Sequence, residues 1–262
     1  MLVVISPAKR LDWSDVPGVT PTPPAFADDA VALAGVARGL SEAALARLMD
    51  LSPKLAALNT ARFRDFAAAP EPEALRPAAF AFAGDTYAGL EARSLSDDAL
   101  RWAETHLRIL SGLYGLLRPC DGIQPYRLEM GSRLANPRGR DLYAWWGDRL
   151  ARALNDAAEA AGTGWLLNCA SQEYFGAVDR TALAPQVVTP LFLEDRPEGP
   201  KTISFHAKKA RGAMARFVME TRIADPEDLC AFDTGGYAHS PELSAPGRPA
   251  FLRRAQAARR PD

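Results

Sequence analysis

The sequence of 262 residues lacks any uninterrupted apolar run of the roughly 18 residues that a membrane-spanning helix needs. Its first segment, MLVVISPAKR, places the apolar residues before the charges, which is the reverse of a secretory signal. Cysteine is scarce, since the three thiols of Cys120, Cys169 and Cys230 are odd in number and widely spaced. Such a set fits free thiols in a reducing compartment better than a disulfide framework. These absences predict a cytoplasmic protein without membrane contact, whose mature chain starts at or near Met1.

Metal-ligand patterns are equally sparse. The chain has three histidines, and none of them has a neighbour at ligand spacing. We therefore expect no metal site and no cofactor. Nothing in the sequence indicates an obligate protein partner.

The net charge is close to zero, at -1 at pH 7. The protein surface as a whole is therefore not positively charged. The cations are nevertheless concentrated in two regions. Residues 201–222 carry six cations against one carboxylate, and residues 101–140 carry seven against three. An anionic partner should therefore meet a local basic patch.

The chain shows no internal repeat and no long linker, which favours a single mixed α/β (α+β) domain over residues 1–237. Residues 238–262 are rich in arginine, proline and glycine, and we expect a basic, loosely ordered tail there. Apolar runs predict strands at 2–6, 78–82, 107–110, 165–170, 186–193 and 202–205. Helical spacing predicts helices at 26–38, 41–49, 53–66, 97–106, 141–161 and 207–222. The loop after the first strand carries Lys9 and Arg10.

The last predicted helix concentrates positive charge on one face. Its cations are Lys208, Lys209, Arg211 and Arg216, and Gly212 falls near the middle of the charged face. A solvated helix face is the ordinary explanation of such a run. Alternatively, the cations neutralise phosphates, and the bare centre at Gly212 admits the backbone of a nucleic acid.

Two predicted hairpins could bind phosphate through exposed backbone amides, as helix-hairpin-helix modules do. The first is a helix pair around the turn Ser52, Pro53 and Lys54. The second is a glycine turn from Gly112 to Gly115, followed by Arg118 and Arg127. Most helical hairpins merely pack, so the sequence alone does not decide which of the two contacts phosphate.

Several blocks together resemble the bacterial peroxide stress protein YaaA family, and they run in order from residue 1 to about Tyr237. These blocks are ISPAKRLD, LSPKLAALNTARF, GDTYAGL, HLRILSGLYGLLRP, QPYRLEMG, GRDLYAWWGD, NCASQEYF and AKKARGAMARF. The resemblance implies a cytoplasmic protein of the hydrogen peroxide response, linked to limiting free iron and to DNA damage. It also implies double-stranded DNA binding through a basic cleft and a helix-hairpin-helix motif, on an unusual mixed α/β fold.

The resemblance carries over to particular positions. The turn Ser52 to Lys54 matches the family's hairpin, and the basic motif positions are matched by Lys9, Arg127, Lys208, Lys209, Arg211 and Arg216. The sequence departs from the family pattern at Ala83 and Gly176, where lysine is often found, and at Gln172, where an acid is common. These departures reduce the positive charge of the expected cleft.

The main alternative is that the cleft is an active site. Lys9 follows a buried strand and could act as a Schiff-base nucleophile, with Glu129, Glu173 or Asp85 as acid or base. A lyase or glycosylase acting on a nucleoside or a damaged base would use such a pair. For Glu129, a salt bridge to Arg127 or Arg133 is the favoured interpretation, because a buried arginine is normally paired.

Overall fold

The computed structural model describes residues 1–254 and shows a single mixed α/β domain. The strands are β1 Leu2–Ile5, β2 Arg10–Leu11, β3 Arg76–Pro77, β4 Phe82–Ala83, β5 Leu107–Ser111, β6 Gly115–Leu117, β7 Gly122–Ile123, β8 Trp165–Cys169, β9 Gln186–Val188, β10 Leu191–Glu194, β11 Tyr237–His239 and β12 Ala250–Arg253.

The α-helices are α1 Ala27–Arg38, α2 Glu42–Met49, α3 Pro53–Asp65, α4 Ala78–Ala81, α5 Asp85–Leu90, α6 Asp97–His106, α7 Leu142–Trp146, α8 Arg149–Ala160, α9 Gln172–Phe175 and α10 Ser204–Thr221. Short 3-10 helices occur at Pro72–Ala74, Ala92–Ser94, Pro226–Ala231, Thr234–Gly236 and Pro241–Leu243. Within residues 1–254, no helix combines the length and the apolar character that crossing a bilayer requires.

The main sheet has the strand order β6-β5-β1-β8-β9. Strands β5, β1, β8 and β9 are parallel, whereas β6 is the antiparallel hairpin partner of β5. All four residues of β1 are fully buried, as expected for a β-branched strand in the middle of a parallel sheet. Because β5 lies on one side of β1 and β8 on the other, a crevice can form at the carboxyl end of β1, where open α/β sheets bind ligands.

Several predicted elements have the expected type and nearly the expected bounds, including β1, β5, β8, α1, α2, α3 and α6. The expected helix cap at Ser41 is confirmed, since its side-chain oxygen accepts a hydrogen bond from the Ala44 amide at 3.2 Å.

Four predictions of elements are wrong. Residues 78–81 form the helical turn α4 instead of a strand, in keeping with the high helix propensity of alanine. The predicted strand 202–205 is absent, because residues 204 and 205 are the first two residues of α10. The predicted strand 186–193 is two strands in different sheets, because Pro190 lacks the amide that a continuous ladder needs. The predicted helix 141–161 is interrupted at Gly147, whose positive φ of 52° ends α7.

The predicted tail is wrong for residues 238–254. Strand β12 lies between β10 and β11 in a three-stranded sheet, where Ala250 and Phe251 are fully buried. The ring of Phe251 packs against those of Phe192 and Phe232 at centroid distances of 5.6 and 5.5 Å. The domain therefore continues past residue 237, and residues 255–262 of the predicted tail lie outside the described residues.

Helices α5 and α10 approach each other so closely that each needs a glycine at the contact. A Cβ on Gly212 would overlap the carbonyl oxygen of Thr86, and one on Gly89 would overlap the carbonyl oxygen of Lys209 and lie 2.8 Å from the Ala213 amide nitrogen. Gly212 is buried. The prediction that it lies bare on the charged face and admits nucleic acid is therefore wrong, because the backbone of α5 occupies that space.

We expect Gly212→Ala to destabilise the protein by at least the ~1–3 kcal/mol that overpacking a core costs, because the added methyl displaces the backbone of α5. Urea unfolding followed by circular dichroism measures the change in the free energy of unfolding.

Gly35→Ala is the matched control for this substitution. Gly35 lies inside α1 with no atom within 4 Å of the added methyl, so alanine should instead stabilise the protein by about 0.5–1 kcal/mol through helix propensity. Equal effects of the two substitutions would contradict the contact between α5 and α10.

Candidate functional site

A cavity of about 470 Å³ lies at the carboxyl end of β1, and we call it the strand-edge cavity. Its size falls within the range of small-molecule sites in proteins. Its lining comes from five separate stretches of the chain, which are the loop Ser6 to Arg10, the segment Ala83 to Thr86, Glu129, the group Cys169, Ser171, Glu173 and Tyr174, and Lys208 with Arg211.

Hydrogen bonds hold the loop after β1 in place. The side-chain oxygen of Ser6 accepts a hydrogen bond from the Ser171 amide at 2.8 Å, and the Tyr87 hydroxyl donates to the Ser6 carbonyl at 3.2 Å. Four residues after Ser6, Arg10 pairs with Ala83 in the two-stranded ladder of β2 and β4. Burial raises the pKa of Tyr87 well above its usual value, so this hydroxyl remains a donor at neutral pH. The loop is thus fixed to Ser171 beyond the end of β8, to α5 and to β4.

Glu129 brings two predicted cations together. Its Oε1 accepts from Lys9 Nζ at 3.1 Å and from Arg127 Nη2 at 3.0 Å. The favoured salt bridge between Glu129 and Arg127 is therefore confirmed. Glu129 is only 9% exposed, and its second oxygen, Oε2, is buried with no hydrogen-bond partner among the described residues.

Four cations near the cavity have no carboxylate at ion-pair distance within residues 1–254. They are Arg10, Lys208, Lys209 and Arg211, and we call them the unpaired cations. Arg10, Lys208 and Arg211 line the cavity, and Lys209 is exposed beside them on α10. Like charges repel, so this arrangement favours an anion at the cavity mouth.

The expected cleft is not simply basic. Asp85, Glu129 and Glu173 line the same cavity as Lys9, Arg10, Lys208 and Arg211. Glu173 is exposed and accepts a hydrogen bond from the Gly131 amide at 2.9 Å. The cavity can therefore bind a ligand that carries both an anionic group and hydrogen-bond donors.

The geometry does not favour Lys9 as a nucleophile. A Schiff-base lysine is activated by desolvation or by a neighbouring cation. The side chain of Lys9 is 65% exposed and ion-paired with Glu129. Lys9 lacks the setting that the enzyme hypothesis requires of it.

The second predicted hairpin is not a helical hairpin, because Gly112 lies in the turn between strands β5 and β6 and Gly115 is the first residue of β6. Both glycines are buried in the core. A Cβ on Gly112 would overlap the Leu128 carbonyl, and one on Gly115 would lie 2.6 Å from the Trp146 ring. Neither backbone is free to meet a phosphate, so this prediction is wrong.

Two predicted phosphate-binding arginines are bound to neighbours outside the strand-edge cavity. Arg118 pairs with the buried Asp121 at 2.8 Å. Arg216 pairs with Glu220 at 2.7 Å and also donates to the Ser94 hydroxyl at 2.7 Å. Neither arginine lines the cavity, and their contact with nucleic acid stays a prediction.

The first predicted hairpin does form two helices that pack on each other, α2 and α3, joined by a short turn. Pro53 is the first residue of α3, as expected, and Lys54 is exposed. Ser52, Pro53 and Lys54 do not line the strand-edge cavity. Their contact with phosphate stays a prediction.

Sequence reasoning missed several cavity residues, among them Ser6, Thr86 and Ser171. Their blocks, ISPAKRLD, GDTYAGL and NCASQEYF, are the signal that could have found them. Two of these blocks begin in the last residues of strands β1 and β8, whose carboxyl ends meet at one edge of a parallel sheet.

The thiols differ in access. Burial and the neighbouring Glu104 raise the pKa of Cys120 to about 12, and burial raises that of Cys169 to about 12. Cys230 is exposed. Reactivity requires the thiolate, so Cys120 and Cys169 are poor targets for peroxide at neutral pH.

The chain is a mixed α/β protein with a cavity lined by charges of both signs at the carboxyl edge of its main sheet. Residues 1–243 match the family model described as "Peroxide stress protein YaaA". The chain belongs to that family.

Close relatives in other bacteria are named as UPF0246 proteins. The chain is 63% identical to one of Jannaschia sp. (strain CCS1) over 253 residues, which is 97% of each chain. It is 60% identical to one of Ruegeria pomeroyi, covering 97% of this chain and 98% of the relative. A third, from Dinoroseobacter shibae, is 62% identical over 97% of this chain and 95% of its own length.

We expect one thiol per native chain to react rapidly with a chromogenic disulfide reagent at pH 8, because Cys230 alone of the three is exposed. Cys120 and Cys169 should react only after unfolding in guanidinium. The absorbance of the released thiolate counts both phases, and the variant Cys230→Ser should lose the rapid phase alone. A rapid phase of two or three thiols would contradict the burial of the other cysteines.

Proposed function

We propose that the protein binds DNA through its phosphate backbone as part of the response to hydrogen peroxide. The family supplies the peroxide response. The single observation that carries DNA binding is the group of unpaired cations, of which Arg10, Lys208 and Arg211 line the cavity and Lys209 is exposed next to Lys208 on α10. In the same protein, other arginines such as Arg118, Arg127 and Arg216 are each held by a carboxylate. Cations left without a carboxylate are available to replace the counterions of a polyphosphate.

The α2–α3 turn supplies a second proposed contact. Lys54 lies in the first turn of α3, which contains no acidic residue, so both its charge and the helix N-terminus favour a phosphate. Phosphate contacts carry no base information, so this binding should depend little on DNA sequence. The expected link to limiting free iron stays a prediction that none of these residues addresses.

The salt dependence of DNA binding tests this proposal. Combining Lys208→Ala with Arg211→Ala should reduce the slope of log Kobs against log[salt] by about two, since each lost phosphate contact removes about 0.9 from the slope. Fluorescence anisotropy of a labelled duplex, titrated at several salt concentrations, measures the slope.

The control for this double variant combines Arg101→Ala with Arg152→Ala. It changes the net charge equally, and both arginines are exposed on helices α6 and α8 away from the cavity. The control slope should match that of the unsubstituted protein. Identical slopes for all three proteins would remove the cavity mouth as the DNA site.

The variant Lys54→Ala tests the α2–α3 turn separately in the same anisotropy assay. We expect the slope to fall by about one, because a single phosphate contact is lost. A slope equal to that of the unsubstituted protein would show that the helix pair only packs.

A further inference from the structure

A buried carboxylate oxygen without a donor is costly, because it has lost its hydration and gained no hydrogen bond in return. Oε2 of Glu129 is in that position, whereas Oε1 accepts hydrogen bonds from Lys9 and Arg127. Glu129 lines the strand-edge cavity. Glu129 thus brings an unsatisfied oxygen to the cavity lining, although other atoms cover Oε2 itself and a ligand reaches it only by displacing them.

We propose that the strand-edge cavity is a nucleotide pocket in which Glu129 Oε2 accepts a hydrogen bond from the ligand while Lys208 and Arg211 hold its phosphate. The phosphate part of this inference rests on the proposed function. The donor is a sugar hydroxyl or a base N–H group, since these are the donors that a nucleotide carries.

The charges of the cavity fit such a ligand better than a bare phosphate. Glu129 would repel a phosphate, and an unpaired carboxylate oxygen gains nothing from one. A nucleotide places its phosphate on the cations and a neutral donor at Glu129, so both kinds of lining residue are satisfied. Only one carboxylate oxygen is free, so the pocket makes a single hydrogen bond at this point instead of a bidentate one.

The position of the cavity is consistent with this ligand. It lies where the chain leaves β1 in the middle of a parallel sheet, which is where α/β proteins bind nucleotides and other small ligands. The volume of about 470 Å³ is in the range of small-molecule pockets.

The inference is tested by the direction in which two substitutions change the affinity for nucleotide. The probes are the four 5′-ribonucleoside monophosphates and inorganic phosphate, measured by isothermal titration calorimetry on the full chain. Glu129→Gln replaces an acceptor by a donor at Oε2. It should therefore weaken the binding of the tightest-binding nucleotide by about ten- to a hundredfold, the loss expected for a hydrogen bond to a charged group. Glu173→Gln also removes a negative charge from the cavity lining, and it should strengthen the binding of both phosphate and nucleotide.

If the cavity recognises only the anionic group, or if Oε2 merely holds a water molecule, both substitutions will strengthen nucleotide binding or leave it unchanged. That result would overturn the inference. So would nucleotide affinity no greater than that of inorganic phosphate, unless the nucleotide is supplied by DNA as described next.

A second variant keeps the test valid if Glu129→Gln fails to fold. Ala83 is partly exposed at the cavity lining, so Ala83→Trp should fill the space without entering the core. It should abolish nucleotide binding and leave the circular dichroism spectrum unchanged. A folded Ala83→Trp protein that binds nucleotide as the unsubstituted protein does would contradict the pocket.

The nucleotide could be free or could belong to DNA. A duplex with 2-aminopurine at a mismatch distinguishes the two sources, because the fluorescence of this base rises when it leaves the stack. A rise with the unsubstituted protein that Glu129→Gln removes would assign the pocket to a nucleotide within DNA. Absence of both mononucleotide binding and this rise would overturn the inference.

The failure of this inference and the failure of the proposed function are distinguishable. If DNA binding shows the expected salt slope but no nucleotide binds in the pocket, the proposed phosphate contacts are supported and the proposed nucleotide pocket is rejected. If mononucleotides bind while the salt slopes of the unsubstituted protein, the double variant and its control are identical, the nucleotide pocket is supported and DNA binding at the cavity mouth is rejected.

Discussion

The close backbone contact between α5 and α10 is the constraint on which the rest of the site depends. The carbonyl oxygens of Thr86 and Lys209 lie where side chains on Gly212 and Gly89 would be. Since α5 begins at Asp85 and α10 carries Lys208 and Arg211, this contact sets the distance between two walls of the strand-edge cavity. The glycines in the blocks GDTYAGL and AKKARGAMARF therefore have a packing role, and their neighbours in sequence have the binding role.

The mixture of charges at the cavity follows from the same crowding. Four cations brought to one opening by the fold repel one another, and a purely basic wall would weaken the domain. Glu129 relieves part of this repulsion by binding Lys9 and Arg127 through one oxygen. The remaining cations keep their charge available for a ligand. Ala83 lies in the same lining and adds no charge to it.

Local patterns in the sequence predict much of the fold. The β-branched run of β1, the cap at Ser41 and the proline that begins α3 are each decided by neighbours within a few residues. Short apolar runs are predicted less well, since residues 78–82 could equally be a strand or a helix until their packing is known.

The candidate site could be predicted only in part, because its contacts join distant stretches of the chain. The loop cations Lys9 and Arg10 and the helix cations Lys208 and Arg211 are evident as basic clusters, and the structure brings them to one cavity. The burial of Gly212 depends on α5, a helix more than 100 residues earlier in the chain. A helical-wheel projection of α10 cannot show such a partner. Similarly, the unsatisfied oxygen of Glu129 is a property of its surroundings in space.

The position of β1 and β12 in their sheets governs how the chain can fold. Strand β1 is synthesised first, yet its register pairs Val3 with Leu107 and Leu167, and β12 joins strands that were made before it. Neither sheet can close from a growing amino-terminal fragment. Contacts of such long sequence separation slow folding. Until β5 and β8 pair with β1, its unpaired edges can associate with other chains. Both sheets must therefore close late, once their carboxyl-terminal strands have been made.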